Sequence, residues 1–256
     1  MANRSADTTC QILGLPFSCG GVSAVAARVL ASRGVVAVPS APCLRIATCD
    51  AKYYRDLKES ALLVPDSGAM ILFARLRGLP VPERVSGPAL FQYLFTHTDF
   101  GKAGCFLVNP SDAEGELNVR MLAKKGRVIV PENHYTAPRY ALPQVEDAVL
   151  LERLRKRRPR VVIINLGGGV QERLAAWLQR EWLATEGPDE LPTFLCTGAA
   201  IAFATGAQGA IPGWAERLYL GWAVRCVQAP QRYIPRYAKA LPLLWDILRF
   251  GRDAPF

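Results

Sequence analysis

Residues 161–182 read VVIINLGGGVQERLAAWLQREW, and this stretch decides the fold class. Its first six residues form an apolar run broken only by Asn165, which is typical of a strand buried inside a sheet. Three glycines then turn the chain, and residues 171–182 are predicted to form a helix. A buried strand that leads through a turn into a helix is the repeating unit of α/β folds with a parallel sheet.

Similar units follow one another along most of the chain. Strands are predicted at 11–15, 35–38, 61–64, 104–108, 127–130, 161–166 and 193–196. Helices are predicted at 22–32, 51–58, 69–77, 88–96, 114–125, 146–156 and 171–182. We therefore predict an α/β fold with a mostly parallel, Rossmann-like sheet flanked by helices. Since ligands of such sheets bind beyond the carboxyl ends of the strands, the loops after Val64, Leu166 and Cys196 are candidate sites.

The composition is that of a folded, basic protein. Half of the 256 residues are hydrophobic and 21% are charged, which excludes a wholly disordered chain. The net charge of +9 favours an anionic partner, either phosphate groups, nucleic acid or an acidic membrane. No RNA- or DNA-binding motif accompanies the charge, so we expect no nucleic-acid partner. Seven cysteines without C-x-x-C spacing, and only two histidines, argue against a zinc site.

Residues 209–256 differ from the rest of the chain in composition. They hold eight of its 23 aromatic residues and seven arginines and lysines, and Pro230, Pro235 and Pro242 divide them into short stretches. We predict an α/β domain at 1–208 and a basic, aromatic, helical appendage at 209–256. Residues 8–27 carry no charge, but Pro16 and two glycines interrupt them, which argues against a signal peptide. We expect a cytoplasmic protein.

The loop after the third predicted strand contains a candidate catalytic carboxylate. Residues 62–68 read LLVPDSG, so Asp66 follows a strand end and precedes a helix. A carboxylate there can act as a general base or hold a sugar hydroxyl. The alternative is an ordinary helix N-cap, since aspartate is common at that position. In the next loop, PERVSG, Glu83 and Arg84 form either a clamp for phosphate or carboxylate or a plain ion pair.

The glycine turn (Gly167, Gly168 and Gly169) is a candidate anion site. Backbone N–H groups and the positive end of a helix can face a diphosphate there. Neither the Gly-Lys-Ser/Thr of a P-loop nor a G-x-G-x-x-G fingerprint is present. Gln171 could bind a nucleobase, ribose or sugar, and Glu172 could simply complement the helix dipole. The arginine-rich run at 153–160 is interpreted as a solvated helix end.

Taken in order, these motifs resemble the WecG/TagA/CpsF family of bacterial glycosyltransferases, glycosyltransferase family 26. The densest match is ALLVPDSGAMILFARLRGLPVPERVSG at 61–87. The second is 161–172, similar to the family's "v-G-l-G-x-P-k-Q-E". The third lies in the tail, in Pro212-x-Trp214, Leu220-x-Trp222, Arg225 and Pro230-x-Arg232.

The resemblance implies transfer of a sugar, an N-acetylhexosamine or related hexose, from a UDP-sugar to a polyprenyl-diphosphate-linked sugar. Such an enzyme would be inverting, would need no metal or other cofactor, and would work at the anionic inner face of the cytoplasmic membrane in exopolysaccharide and cell-envelope synthesis. Asp66 would be the catalytic base. Substrate contacts are expected from Ser40, Glu83, Arg84, Gly167, Gly168, Gly169, Gln171, Glu172, Arg225, Arg232 and Arg236. Homo-oligomerisation is left open.

Several positions depart from the family pattern. Val38-Pro39-Ser40 replaces "T-P-N", Ser67 replaces the glycine after Pro-Asp, and residues 198–202 lack the aspartate of "G-G-x-F-D". Gly209 stands where the family has an arginine. These departures motivate an alternative function, that of a catalytically weakened paralogue that binds glycolipid or a partner glycosyltransferase.

Overall fold

One eight-stranded sheet forms the centre of the molecule. The computed structural model describes residues 9–100, 104–127, 129–198, 201, 215 and 221–256, with the backbone alone at Arg232. The strands are β1 (Thr9–Ile12), β2 (Leu15–Ser18), β3 (Gly34–Ala37), β4 (Leu62–Leu63), β5 (Cys105–Asn109), β6 (His134–Thr136), β7 (Val161–Ile164) and β8 (Thr193–Cys196). Their order is β1-β2-β4-β3-β8-β7-β5-β6. Among the described strands, only β1 and β2 pair antiparallel, which confirms the predicted mostly parallel α/β fold.

Helices cover both faces of the sheet. They are α1 (Val22–Ala31), α2 (Ala41–Ala47), α3 (Ala51–Lys58), α4 (Gly68–Leu76), α5 (Gly87–His97), α6 (Asp112–Lys124), α7 (Ala148–Arg157), α8 (Val170–Thr185), α9 (Gly221–Gln228), α10 (Pro230–Ala238) and α11 (Leu243–Phe250). One core cluster packs α2, α3, α4, α7, α8 and α11 on the sheet, and a second packs α1, α5 and α6 on its other face. The fold is therefore a helix–sheet–helix sandwich.

Two predicted strands differ from the structure, and one helix was missed. The residues predicted as one strand at 11–15 span the turn of the β1–β2 hairpin. Leu13 and Gly14 both adopt positive φ, at 56° and 68°, and reverse the chain there. Helix α2 was not predicted. The strand predicted at 127–130 is wrong, because its described residues form no strand. The edge strand that pairs with β5 is β6 instead. Arg127 instead donates to the carbonyls of Thr98 (2.9 Å) and Phe100 (3.3 Å), which holds it at the end of α5.

The last helix is part of the main core. Leu243 and Ile247 of α11 are fully buried in the cluster that contains β2 and α8. Beyond the helix, the carbonyl of Gly251 accepts from the N–H of Leu13 at 2.8 Å. The predicted division at 208/209 lies outside the described residues and stays a prediction. Removing residues 209–256 would open this core, so single substitutions test the tail more cleanly than truncation.

Candidate active site

A cavity of about 520 Å³ opens where strands β3 and β4 end. The N-termini of α2 and α4 form one side, and α9 and α10 form the other. Its polar lining comes from Ser40, Asp66, Arg84, Ser86 and Arg225. Its apolar lining comes chiefly from Leu72, Phe73, Trp222, Ile234 and Leu241. The cleft is thus amphiphilic, with Asp66 at a strand end, as expected for a parallel sheet, and Arg225 on the opposite side.

Asp66 lies in this cleft, and it is not the N-cap of the helix that follows. Ser67 is that cap, because its Oγ accepts from the N–H of Met70 at 3.2 Å. The Asp66 Oδ1 instead accepts from the N–H of Gly87, the first residue of α5, at 3.2 Å. The side chain remains 24% exposed. The contact with α5 therefore fixes the direction of a carboxylate that lines the cleft.

Arg84 holds the same carboxylate from a second side. Its Nε donates to the backbone carbonyl of Asp66 at 2.7 Å, and its Nη2 lies 3.6 Å from the Asp66 Oδ1. Both side chains line the cavity. Glu83 is exposed instead, and its carboxylate lies 3.3 Å from the position that a Cβ on Gly21 would take. The structure therefore brings Arg84 to Asp66 and leaves Glu83 at the start of α1.

The glycine turn lies against the start of α2 and faces α10. A Cβ on Gly168 would be 2.4 Å from the Sγ of Cys43, 4.0 Å from the Oγ of Ser40 and 3.9 Å from the Nη2 of Arg236. Gly169, the N-cap of α8, has a φ of 91°, which favours glycine. Gly167 is exposed, and a Cβ there would meet no described atom within 4 Å. Among the described atoms, Gly167 thus has room for a side chain, and Gly168 next to it faces Ser40 and Arg236.

Gln171 and Glu172 lie beneath the turn and are buried, with exposed fractions of 2% and 1%. The Oε2 of Glu172 accepts from the N–H of Gly169 at 2.6 Å, and its Oε1 accepts from the Nε2 of Gln171 at 2.8 Å. Burial raises the pKa of the Glu172 carboxyl, although these hydrogen bonds oppose the shift. The side chain of Gln171, which was predicted to contact the donor, therefore does not line the cleft.

The predicted tail arginines lie on two helices. Arg225 of α9 lines the cleft, and its Nη1 lies 3.4 Å from the hydroxyl of Tyr237, to which it donates. Arg236 of α10 is exposed and lies across from Gly168. Arg232 lies on α10, but its side chain is outside the described part, as are Pro212, Trp214, Ala202 and Gly209.

Comparison with known families identifies the chain. The family described as Glycosyl transferase WecG/TagA/CpsF matches residues 10–254. The chain belongs to this family. No curated protein matches the sequence significantly. Membership confirms the resemblance found in the sequence and makes the chain a glycosyltransferase of family 26. Family 26 enzymes act in cell-surface polysaccharide synthesis, in general on a nucleotide-sugar donor and a lipid-linked acceptor.

Some residues of this family 26 cleft were not predicted from the sequence. Cys43 supports the turn and Tyr237 lines the cleft, and neither belongs to any quoted motif. Cys43 could have been found from Ser40 and Pro42, which together mark a helix start and place residue 43 in its first turn. Within the described ranges, no three His, Cys, Asp or Glu side chains converge as a metal site would require. Metal independence stays a prediction.

Proposed function

We propose that the protein is an inverting, metal-independent glycosyltransferase. It moves an N-acetylhexosamine or related hexose from a UDP-sugar to a polyprenyl-diphosphate-linked sugar in exopolysaccharide or cell-envelope synthesis. The observation that carries this proposal is the Asp66 carboxylate, which is held by Arg84 and the N–H of Gly87 in an amphiphilic cleft. A general base in such a cleft can reach a sugar hydroxyl whose lipid lies along the apolar lining.

In the proposed reaction, Asp66 takes the proton of the acceptor hydroxyl. The hydroxyl oxygen attacks the anomeric carbon of the donor as the bond from that carbon to the UDP oxygen breaks. UDP leaves with the bonding electrons, and the configuration at the anomeric carbon inverts. Gly87 and Arg84 fix the carboxylate, so it needs little reorientation at the moment of reaction.

The donor diphosphate is proposed to lie over the glycine turn. The positive end of the 16-residue helix α8 begins at Gly169, and the backbone N–H groups of Gly167 and Gly168 in the turn before it are proposed to face the anion. Arg236 lies beside Gly168, and Arg225 lines the adjoining cleft. Arg236 and Arg225 supply positive charge where the leaving UDP gains negative charge, and a contact from Arg232 stays a prediction of the family resemblance. Ser40 adds a hydroxyl at the edge of the same turn.

The acceptor lipid is proposed to reach the cleft from a membrane surface. Large apolar side chains at the cleft mouth are exposed, with Trp222 at 46%, Ile234 at 54% and Leu241 at 68%. On α11 the exposed fraction of Trp245 is 71%. No helix in the described ranges is long and apolar enough to cross a membrane. Peripheral binding at the cytoplasmic face through these side chains and the tail's basic residues accounts for this arrangement.

Replacing both exposed tryptophans, Trp222→Ser with Trp245→Ser, is expected to weaken binding to anionic lipid vesicles by roughly 100-fold or more. Burying one large apolar side chain contributes about 1.5–3 kcal/mol, so two losses accumulate. Vesicle co-sedimentation measures the effect. Val149→Ser, at a position that is 61% exposed on α7, is the control and is expected to change nothing. If Val149→Ser lowered vesicle binding as much as the double tryptophan variant, the tryptophans would not be the membrane contact.

Binding of UDP is the simplest test of the donor site. Free UDP at 100 times its dissociation constant is expected to stabilise the fold by about 2.7 kcal/mol. Thermal unfolding with and without UDP measures this shift. Adenosine diphosphate at the same concentration is the control for general diphosphate binding. A protein that UDP does not stabilise at any concentration would contradict the proposed donor.

A further inference from the structure

A pair of buried polar side chains connects two of the strand-end loops. Gln171 and Glu172 stand in the first turn of α8, below the glycine turn that follows β7. Their partners reach as far as Cys196 and Gly198, which end β8 and begin the next loop. We infer that Gln171 and Glu172 are positioning residues: they fix the two loops to each other and shape the donor site without touching the donor. The donor part of this inference rests on the proposed function.

Glu172 fixes the glycine turn. Its two carboxylate oxygens have separate donors, the N–H of Gly169 at 2.6 Å and the Nε2 of Gln171 at 2.8 Å. Gly169 is the residue at which the turn takes its positive φ. A carboxylate that holds this N–H fixes the direction of the neighbouring backbone N–H groups, which are the groups proposed to face the diphosphate. A carboxylate that only complemented the helix dipole could do so from the solvent, whereas the side chain of Glu172 is only 1% exposed.

Gln171 extends the connection to the loop after β8. Its Nε2 donates to Glu172 and also lies 3.3 Å from the carbonyl oxygen of Cys196, while its Oε1 accepts from the N–H of Gly198 at 2.9 Å. Because the backbone carbonyl of Cys196 only accepts hydrogen bonds, the NH₂ end of the Gln171 amide must face it, and the same NH₂ group reaches Glu172. The other end must then face Gly198. Both the NH₂ group and the oxygen of Gln171 are therefore engaged within the protein.

The network explains why a carboxylate is kept in the interior. A buried carboxylate is costly unless hydrogen bonds compensate it. The two hydrogen bonds to Glu172 provide this, and the hydroxyl of Tyr53 and the thiol of Cys43 lie around it in the same pocket of the core. The loops after β7 and β8 gain a fixed separation from this arrangement. In contrast, a Gln171 that contacted the donor would have to leave both loop partners.

The test combines a charge-removing variant with a reversed pair. Glu172→Gln keeps the size of the side chain but places an NH₂ group against either Gly169 or Gln171, both of which are donors. The reversed pair, Gln171→Glu with Glu172→Gln, restores the 171–172 hydrogen bond and leaves oxygens facing Gly169 and Gly198. It loses the bond to Cys196 and places a carboxylate oxygen against that carbonyl. Glu181→Gln, on the same helix and away from the turn, is the control.

Two measurements separate the loop connection from the donor site. Amide hydrogen exchange without ligand is expected to accelerate at Gly169 and Gly198 in Glu172→Gln and to be largely restored in the reversed pair. The affinity for UDP, measured by calorimetry, is expected to fall about 5- to 100-fold in Glu172→Gln and to recover in the reversed pair. If Gln171 touches the diphosphate directly, the reversed pair binds UDP worst of all, because it places a carboxylate there. That result would overturn the inference.

A further variant keeps the inference testable if the Glu172→Gln protein does not fold. Gln171→Met keeps an unbranched side chain of similar size and leaves the Glu172–Gly169 bond in place. It is expected to release the amide of Gly198 and to keep that of Gly169 protected. Unchanged exchange at Gly198 would contradict the connection between the loops. A wild-type protein that does not bind UDP would overturn the proposed donor, and the exchange measurements would then decide the connection alone.

Discussion

Replacing Asp66 with asparagine is expected to lower turnover about 10²–10⁴-fold, because it removes the proton acceptor and little else. The Oδ1 of asparagine can still accept from the N–H of Gly87, which lies 3.2 Å from the present carboxylate oxygen. Ser67 continues to cap α4, and the bond from Arg84 to the backbone carbonyl of residue 66 is unaffected. The melting temperature is therefore expected to change little. Initial rates of sugar transfer to a lipid-linked acceptor measure the loss.

Asp147→Asn is the matched control for this change. Asp147 also follows a loop and caps a helix, α7, through the N–H of Leu150 at 2.8 Å. Its Oδ2 accepts from the hydroxyls of Tyr135 and Tyr140, so an NH₂ group there would lower stability. Turnover per folded molecule should remain that of the wild type. Normal turnover in Asp66→Asn would show that Asp66 serves only to hold α5 and Arg84.

The second large effect is expected for Gly167→Val, which should weaken UDP binding roughly 100-fold or more in a protein that remains folded. Each hydrogen bond to a charged group contributes about 1.5–3 kcal/mol, so displacing the diphosphate from two of them suffices. Gly167 is the suitable position because a Cβ there meets no described atom within 4 Å. Calorimetric titration with UDP and a melting curve separate affinity from stability.

Two further glycine variants calibrate this result. Gly167→Ala is expected to give a smaller loss of affinity, since its side chain extends less far into the open space. Gly168→Ala is expected to lower stability as well, because its Cβ would stand 2.4 Å from the Sγ of Cys43. UDP affinity that is unchanged in folded Gly167→Val would place the diphosphate away from the turn.

The sequence predicted those parts of the fold that depend on local pattern. The β7–turn–α8 unit was predictable because an apolar run, three glycines and a helical segment follow one another directly. The hairpin of β1 and β2 was missed because its reversal rests on a positive φ at Leu13, which no residue preference indicates. The strand predicted at 127–130 failed because the side chain of Arg127 binds carbonyls from the α5 end, more than 25 residues earlier in sequence.

The site, like the fold, was predictable where a local sequence pattern marks it. Asp66 and Arg84 stand 18 residues apart, and the rule that ligands bind at strand ends was enough to place Asp66 in a cleft. The partners of Gln171 could not be foreseen, since Cys196 and Gly198 reach it only through the pairing of β7 with β8. Arg236 was expected at the site only from the family resemblance, because its place across from Gly168 depends on the packing of α10 and no local sequence signal links the two.

Sugar transfer itself tests the account most directly. The full-length protein would be incubated with a panel of UDP-sugars, a polyprenyl-diphosphate-linked N-acetylhexosamine in mixed micelles and a metal chelator, and the lipid products analysed by mass spectrometry. We predict one added sugar from at least one donor, with inverted configuration at its anomeric carbon, and about 10²–10⁴-fold less product from Asp66→Asn in the same time. UDP binding without transfer from any donor would contradict the account and favour the weakened paralogue.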